Sequence, residues 1–354
     1  MKTNNSITEN IGVCPIPLDN YPHIVMAHGG GGLLTNQLIR QMFEPVFKNP
    51  FLDKSHDGAV IDSANKKIAF TTDSYVIQPL LFPGGDIGSL AVFGTVNDLS
   101  MCGAKPAYIS LSLIIEEGLP MQTLWQITNS IQKAAKLSGV SIVTGDTKVI
   151  NKTGGDGLYI NTSGIGYIEH NQRINPFEIK SGDIIILSGD IGRHGIAIMA
   201  TREGLDFETE LSSDCAPLND IVQKLLTAEI PVHCMRDLTR GGLASALIEI
   251  AQSAHKCFEI NETTIPVEDA VNGACELLGF DPVYVANEGR FVMFVPQEHA
   301  QKCLNICHNH FIGENAVIIG RVTSDKEGIV VMKNEIGGQR ILQMFSGEQL
   351  PRIC

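Results

Sequence analysis

The sequence predicts an α/β protein of two domains. At 354 residues the chain is long enough to form two hydrophobic cores. Apolar segments of strand length alternate with segments of helical period along the whole chain. An Asp-Leu pair also lies beside a predicted helix in each half, at Asp98 and at Asp237. Together these observations indicate two related α/β halves.

In the first half, apolar periodicity predicts strands over residues 59–61, 68–72, 107–115, 141–144 and 158–168, and helices over 33–47, 88–101 and 121–137. A polar connection over residues 174–183 marks the domain boundary. We therefore expect an N-terminal tail, Gly-rich loop and helix over residues 1–47 and a first domain over 48–172. A second domain over 173–340 and a flexible tail over 341–354 complete the chain.

In the second half, the same criteria predict strands over residues 184–187, 281–286, 291–295, 317–322 and 328–332. Helices are predicted over residues 194–202, 242–254 and 296–309. Cys303 and Cys307 fall on one face of the last of these helices, four residues apart. With His308 and His310 they could form a zinc site, but this spacing favours buried core cysteines.

Composition excludes several classes of protein. The net charge of −13 argues against nucleic-acid binding and against binding to an anionic membrane, because both require clustered Lys and Arg. The first residues lack the apolar core of a signal peptide, and no segment approaches the roughly 20 apolar residues that span a bilayer. With nine irregularly spaced cysteines, the sequence predicts a cytoplasmic protein with reduced thiols.

A glycine run near the N-terminus is the first candidate binding segment. His28 is followed by Gly29, Gly30, Gly31 and Gly32, and a predicted helix comes next. Backbone N–H groups in such a loop can close around phosphate oxygens, and the N-terminus of the helix adds positive potential. The run predicts a phosphate-binding loop, with a flexible turn as the alternative. No Gly-x-x-x-x-Gly-Lys-Ser/Thr stretch occurs, which excludes a P-loop.

Four acidic residues lie at the ends of predicted elements or within a helix, namely Asp73, Asp98, Asp146 and Asp237. Carboxylates that converge beside a Gly-rich loop are what Mg²⁺-bound polyphosphate requires, because Mg²⁺ takes oxygen ligands and bridges carboxylate to phosphate. Each acid taken alone is more commonly a cap or turn residue.

The C-terminal tail offers a candidate nucleophile. Its last residue, Cys354, carries a thiol that nothing downstream restrains, and Gly347 lets the preceding segment swivel. From Ser346 the tail reaches about 30 Å when fully extended. Another active site could therefore enclose the thiol, which makes Cys354 a candidate carrier. The alternative is a disordered terminus that happens to end in cysteine.

Several motifs carry a resemblance to a known family: His28 to Gly32, Thr72 to Ser74, Asn97 to Leu99, Gly145 to Lys148, Arg236 to Gly242, Asn287 to Arg290, and Pro351 to Cys354. In these motifs the chain resembles the HypE family of hydrogenase maturation factors, which act as carbamoyl dehydratases. The internal motifs are shared with aminoimidazole ribotide and selenophosphate synthetases. The Pro-Arg-Ile-Cys end is the part specific to HypE.

The resemblance implies an aminoimidazole ribotide synthetase-like fold, with mixed sheets flanked by helices, and a homodimer formed through the first-domain sheets. It implies ATP and Mg²⁺ in the cleft between these sheets and the second domain. It also implies that a partner carbamoyltransferase places a carbamoyl group on Cys354 and that ATP-dependent dehydration converts this group to a thiocyanate. The cyanide then passes to iron on a scaffold complex of the HypC-HypD type.

The resemblance, together with this chemistry, implies roles for individual residues. Asp73, Asp98 and Asp237 are expected to hold Mg²⁺. Cys354 is expected to carry the carbamoyl group, Glu288 to remove protons from its nitrogen, and Lys148 to steady phosphate or the carbamoyl oxygen. The expected nucleotide-binding residues are His28, Gly29, Gly30, Gly31, Gly32, Asp73, Asn97, Asp98, Asp146, Thr147 and Lys148.

Two other functions are compatible with the sequence. One is a different enzyme of the superfamily, of the selenophosphate synthetase or thiamine-phosphate kinase type, that acts on a diffusible substrate. Cys14 lacks the glycine-rich setting expected of a selenophosphate synthetase. The other is a non-catalytic assembly protein that binds nucleotide. ATP turnover by protein carbamoylated on Cys354 would separate the assembly protein from a carbamoyl dehydratase.

Overall fold

A computed structural model of the chain describes residues 32–38, 40–41, 53, 59–62, 67–152, 154–204, 211–323 and 328–345. Within these ranges, one sheet is built from residues before 169 and a second from residues after 183, and each carries helices. The predicted two-domain α/β class is therefore confirmed. None of the helices in the described ranges has the length and apolar character needed to cross a lipid bilayer.

The first domain is organised on a five-stranded sheet. Its described elements are α1 (Leu33–Leu38), β1 (Ala59–Asp62), β2 (Lys67–Tyr75), β3 (Leu81–Phe82), β4 (Gly85–Asp86), α2 (Ile87–Met101), β5 (Lys105–Glu116), α3 (Met121–Ser138), β6 (Ser141–Ile150) and β7 (Leu158–Ile168). The strand order is β1-β2-β7-β5-β6. Strands β5 and β6 run parallel, and the other neighbours run antiparallel. Strands β3 and β4 form a separate two-stranded ribbon.

Helix α2 lies at the centre of the first domain. Asp86 caps it, because its Oδ1 accepts hydrogen bonds from the Gly88 and Ser89 backbone N–H groups at 2.7 and 2.9 Å. The helix packs against β2, β7 and α3 and also contacts the second domain, so nearly all of its residues are buried. Polar groups buried in such a helix need partners. Asn97 is buried on this helix and Asp98 is half-buried, and both belong to the candidate site.

The second domain is organised on a seven-stranded sheet with the order β14-β13-β10-β12-β8-β11-β9. Its described elements are β8 (Ile184–Leu187), α4 (Arg193–Glu203), α5 (Asn219–Thr227), β9 (Cys234–Asp237), α6 (Gly242–Ala254), β10 (Cys257–Asn261), α7 (Asp269–Leu278), β11 (Phe291–Val295), α8 (Ala300–His308), β12 (Val317–Thr323), β13 (Ile329–Lys333) and β14 (Gln339–Ile341). Strand β11 is buried along its whole length, as its continuous apolar run predicts. Cys303 and Cys307 are fully buried on α8, which confirms the core assignment over zinc.

Two predicted strands are wrong in part or entirely. The strand predicted over residues 281–286 is a 3₁₀ turn, Pro282–Tyr284, because Asp281 Oδ1 caps it by accepting from the Val283 N–H at 3.2 Å and Pro282 has no N–H to donate. The strand predicted over residues 141–144 is too short, because β6 continues to Ile150 and includes residues 145–148. The described part of the helix predicted over residues 33–47 contains α1, Leu33–Leu38. Residues 42–47 of this prediction lie outside the described residues.

Candidate active site

The acidic residues of the first domain lie where β2 meets α2. Thr71 and Tyr75 are buried on the face of β2 that packs against this helix, and the strand period puts Asp73 on the same face. Thr71 Oγ1 donates to Asp98 Oδ2 on α2 at 2.8 Å. Asp73 Oδ1 accepts from the Ser74 N–H at 2.7 Å. Asp73 and Asp98 therefore belong to the same strand–helix contact.

The second domain reaches this contact through the end of β9 and the turn that follows. Arg240 Nη2 lies 3.7 Å from Asp73 Oδ1. Asp237 is the last residue of β9, is buried, and lies opposite Phe291 in the β9–β11 pairing. The acidic residues of the two domains thus face one cleft.

Glu288 is the most deeply buried acid in this cleft. Its side chain is 4% exposed, and its Oε1 has no hydrogen-bond partner among the described residues. Burial raises the pKa of Glu288 well above its ordinary value, and the carboxylates of Asp237, Asp214 and Asp73 raise it further. A carboxyl group in this setting binds a proton more strongly than one on the surface. This property suits a group that accepts a proton during a reaction.

The carboxylates suit a metal ion that binds together with phosphate. In the described part of the chain, no three His, Cys, Asp or Glu side chains are arranged to hold a metal ion by themselves. Mg²⁺ is usually held by one or two carboxylates, and phosphate oxygens and waters complete its shell. The positions of Asp73, Asp98 and Asp237 therefore fit Mg²⁺ bound with a nucleotide better than a metal caged by protein alone.

Asn97 uses both polar atoms of its side chain within the protein. Nδ2 donates to the carbonyl oxygens of Ala216 and Glu288, at 3.1 and 3.2 Å. Oδ1 accepts from the Leu218 N–H at 2.8 Å, and the residue is almost fully buried. Asn97 thus joins α2 to the loop that carries Glu288. Its contact with nucleotide stays a prediction.

Asp146, Thr147 and Lys148 lie on β6, an edge strand in which every residue is exposed. Lys148 Nζ lies 2.8 Å from Asp146 Oδ2, and this pairing lowers the pKa of the Asp146 carboxyl. Asp146 and Thr147 also line an open depression, together with Leu111 and Leu113 of β5. The predicted nucleotide contacts of these β6 residues stay predictions.

The strand register shows which face of the sheet Asp146 occupies. Asp146 pairs with Ser112 of β5, Ser112 pairs with Asn161 of β7, and Asn161 pairs with Ser74 of β2. Residues paired in this way share one face, and the next residue along a strand faces the other side. Because Asp73 precedes Ser74, Asp146 lies on the opposite face of the sheet from Asp73, and so does Lys148, two residues further along β6.

The chain just after the glycine run and the chain just before the C-terminal tail meet beside the second domain. His28, Gly29, Gly30, Gly31 and Cys354 lie outside the described residues. The Leu33 N–H donates to the Phe345 carbonyl at 2.7 Å, so the chain just after the glycine run is bonded to the base of the C-terminal tail. Asn36 Nδ2 donates to Glu249 Oε1 on α6 at 3.1 Å, which holds α1 against the second domain.

Asp214 belongs to the cleft although the sequence analysis did not select it. It is buried, and its carboxylate accepts from the backbone N–H groups of Glu288 and Gly289. Next to it, Cys215 has a thiol whose pKa is raised well above the ordinary value by burial and by the neighbouring acids. The available signal was an acid after two serines, in a segment with no regular period, and this pattern is common in surface loops.

Comparison with known proteins identifies the family of the chain. The chain matches the AIR synthase related protein N-terminal domain over residues 55–168 and the corresponding C-terminal domain over residues 180–333. The carbamoyl dehydratase HypE of Azotobacter vinelandii is 44% identical over 331 residues, which cover 94% of this chain and 97% of that protein.

Two solved structures show the same likeness in three dimensions. HypE from the HypE–HypF complex matches with a TM-score of 0.82 and 43% identity, over 87% of this chain and 99% of that one. HypE in complex with ATP matches with a TM-score of 0.79 and 43% identity, over 94% of this chain and 100% of that one. The resemblance found in the motifs is confirmed, and the chain belongs to the HypE carbamoyl dehydratase family.

Proposed function

We propose that this protein is an ATP-dependent carbamoyl dehydratase of hydrogenase maturation. It converts a carbamoyl group on the Cys354 thiol to a thiocyanate, which is the source of the cyanide ligand of the [NiFe] hydrogenase iron. The observation that carries the proposal is the buried Glu288 carboxyl, whose Oε1 has no hydrogen-bond partner among the described residues, in a cleft lined by acids of both domains. In its ionised form such a group can accept a proton from a substrate, and its raised pKa makes it a stronger base than a surface carboxylate.

The reaction balances as follows. The oxygen of the carbamoyl group attacks the γ-phosphorus of ATP, and ADP leaves. The carbamoyl carbon–oxygen bond then breaks with loss of phosphate, while the two N–H protons are removed and a carbon–nitrogen triple bond forms. The net change is loss of one water from the carbamoyl group and conversion of ATP to ADP and phosphate. Glu288 takes a proton from the nitrogen.

The acidic residues of the cleft would bind the metal ion and nucleotide that this step requires. Asp73, Asp98 and Asp237 would hold Mg²⁺ bound to ATP, in keeping with their shared cleft. When bound, Mg²⁺ and ATP supply the phosphoryl group and the positive charge that offsets these carboxylates. We propose that His28, Gly29, Gly30, Gly31 and Gly32 contact the phosphates. Asp146, Thr147 and Lys148 are proposed to contact nucleotide bound to a second copy of the chain, because Asp146 and Lys148 face away from Asp73 within one copy.

An apolar row on the open face of the first-domain sheet supports the proposed homodimer. Phe70, Ile165 and Tyr108 are paired side by side on β2, β7 and β5, and all three are exposed. Gly164, the neighbour of Ile165, faces α2, so Ile165 faces away from that helix. Contiguous exposed apolar groups of this kind favour an isologous contact with a second copy.

Replacing Ile165 by Asp is expected to convert the dimer to a monomer, because one charge in each copy would be buried at the symmetric contact. Light scattering at micromolar concentration measures the mass. Ile336→Asp is the matched control, since Ile336 is 91% exposed on the second domain and its variant should stay dimeric. A dimeric Ile165→Asp protein would contradict this interface.

Two partner proteins and a cellular setting complete the proposal. A HypE relative has been solved as a HypE–HypF complex, which supports a carbamoyltransferase of that kind as the carbamoyl donor. The proposed acceptor of cyanide is an iron-carrying scaffold of the HypC-HypD type. Reduced thiols and the cytoplasm are the proposed setting.

Intact mass spectrometry tests the function directly. Wild-type protein is incubated with the carbamoyl donor system and then with ATP and Mg²⁺. We expect a carbamoyl adduct on the peptide that contains Cys354, followed by loss of one water from that adduct when ATP is added. A stable adduct with no water loss would indicate an assembly protein. ATP turnover with no adduct would indicate a superfamily enzyme that acts on a diffusible substrate.

Asp98→Ala and Asp237→Ala are each expected to weaken Mg²⁺-dependent ATP binding by about tenfold or more, because each removes a proposed metal ligand. Titration calorimetry with and without Mg²⁺ measures the effect. Asp183→Asn removes another buried carboxylate, one that pairs with His233, and should leave ATP affinity unchanged. Unchanged affinity in both alanine variants would remove these residues from the metal site.

A further inference from the structure

The main chain at Glu288 is held from two sides. The Glu288 and Gly289 N–H groups donate to the two carboxylate oxygens of Asp214, each at 3.1 Å. The Glu288 carbonyl accepts from Asn97 Nδ2 at 3.2 Å. Two hydrogen bonds from adjacent N–H groups to the two oxygens of one side chain fix both distance and direction, so the paired bonds to Asp214 are a firm attachment. One attachment comes from the segment before α5 and the other from α2.

The two holding residues are themselves fixed. Asp214 is 6% exposed and Asn97 is 1% exposed. Asn97 also donates to the Ala216 carbonyl and accepts from the Leu218 N–H, so it binds both the Asp214 segment and the Glu288 loop. Asn97 and Asp98 are adjacent on α2, and the same turn of this helix therefore carries a proposed metal ligand and supports the loop of the proposed base.

Gly289 makes this close attachment possible. A Cβ at position 289 would overlap the Asp214 carbonyl oxygen and would meet the Ala216 Cβ at 3.2 Å. Only glycine lets the two segments approach to this distance without a shift of the backbone.

One carboxyl oxygen of Glu288 lacks a comparable restraint. Its Oε1 accepts no hydrogen bond from any described residue, although the residue is buried. The direction of the carboxyl group therefore depends on where its main chain is held. A displacement of about 1 Å in a reacting group is enough to slow a reaction about a hundredfold.

We propose that Asp214 and Asn97 are positioning residues for Glu288, which clamp the peptide groups on either side of its Cα so that its carboxyl faces the carbamoyl nitrogen. This inference rests on the proposed function, because it assumes that Glu288 is the base. Neither residue touches the reacting atoms; both act through the backbone of the Glu288 loop.

The test compares Asp214→Asn and Gly289→Ala with wild type. An asparagine can accept one of the two N–H groups but turns its own amide donor toward the other, whereas Gly289→Ala keeps every charge and pushes the two segments apart. In single-turnover assays of carbamoylated protein, we expect both variants to lose water about 10- to 100-fold more slowly. The dissociation constant of ATP should stay within about twofold of wild type.

A solvent isotope effect distinguishes positioning from a general loss of structure. In D₂O the carbamoyl N–H groups become N–D, so a misdirected Glu288 makes proton removal rate-limiting and increases the ratio of rates in H₂O and D₂O. Asn97→Ala should show the same larger ratio. Asp183→Asn is the matched control, because Asp183 is buried and accepts from the Lys180 N–H at 2.8 Å outside this loop. It should keep the wild-type rate and ratio.

Each outcome decides the inference. Wild-type rates and isotope ratios in Asp214→Asn and Gly289→Ala would overturn it, and so would a loss of ATP affinity in proportion to the loss of rate. Should Asp214→Asn not fold, Gly289→Ala decides alone by the same two criteria. A normal rate in Glu288→Gln would instead show that the proposed base is wrong, which is a separate failure.

Discussion

Glu288→Gln is expected to bind ATP, accept the carbamoyl group on Cys354 and stop at that stage. The change keeps the size of the side chain and removes its ability to take a proton from the carbamoyl nitrogen. General-base catalysis contributes about 10²- to 10⁴-fold, so we expect water loss to slow by that factor. Single-turnover mass spectrometry of carbamoylated protein measures the rate, and calorimetry measures ATP affinity.

The stability of the same variant provides an independent control. Burial raises the pKa of Glu288 in the folded protein above the ordinary value of 4.5, so this group stabilises the ligand-free protein at low pH, and that contribution is lost as pH rises through the folded pKa. The Glu288→Gln variant has no carboxyl group at this position, so it does not lose this stability as pH rises. Its free energy of unfolding should match wild type near pH 4 and exceed it at alkaline pH. Thiocyanate formation at the normal rate would place the base elsewhere.

Helices and strands are predicted best from sequence where local pattern and burial agree. Helix α2 and strand β11 were predicted almost to the residue, because both are apolar runs that the core buries on every side. The strand over 281–286 was wrong because its apolar residues pack through a capped turn. Apolar character indicates burial in both cases and does not by itself identify the backbone conformation.

Gly145 explains why the extent of β6 was underestimated. Glycine commonly ends a strand, and the strand predicted over residues 141–144 stops just before Gly145. In the structure Gly145 pairs with Leu111, and a Cβ there would overlap the Leu111 carbonyl oxygen. The glycine permits close approach of two backbones inside a sheet. This distinction depends on the neighbouring strand, which sequence position does not reveal.

Sequence patterns likewise do not show which residues come together in the cleft. Asp73, Asp98, Asp237 and Glu288 were selected from motifs, but their convergence depends on contacts between residues distant in sequence, such as that of Arg240 with Asp73. Asp214 escaped selection because its importance comes from two backbone N–H groups far along the chain. Any residue type except proline can supply a backbone N–H group, so the sequence does not show which acid such groups bind. A positioning acid is therefore harder to predict from sequence than a metal or nucleotide ligand.

The base of the C-terminal tail determines what Cys354 can reach. Phe345 is held at the second domain, where its carbonyl accepts from the Leu33 N–H at 2.7 Å and its ring lies 6.1 Å from that of Tyr284. Tyr284 Oη also donates to the Gln343 carbonyl at 2.9 Å. From Ser346 onward a fully extended chain spans about 30 Å, which is the diameter of a small domain. A thiol on this tether can reach a cleft in its own protein and a site on a partner.

Cys354→Ala is accordingly expected to abolish carbamoylation, thiocyanate formation and hydrogenase maturation, because it removes the nucleophile that carries the carbon. The fold, the oligomeric state and ATP binding should be unchanged, since the substitution removes only one thiol from the last residue. Mass spectrometry measures the adduct, and hydrogenase activity in a complemented deletion strain measures maturation.

Cys303→Ser is the matched control, because it also removes one thiol. Cys303 is fully buried and its Sγ lies 3.2 Å from Met293 Sδ, so a hydroxyl there would be buried among apolar groups and would lower the free energy of unfolding by about 1 to 3 kcal/mol. At a temperature where it is folded, this variant should still form thiocyanate on Cys354. Maturation at wild-type levels by Cys354→Ala would show that the carbon is not carried on this thiol, and the chain would then have to act on a free small molecule.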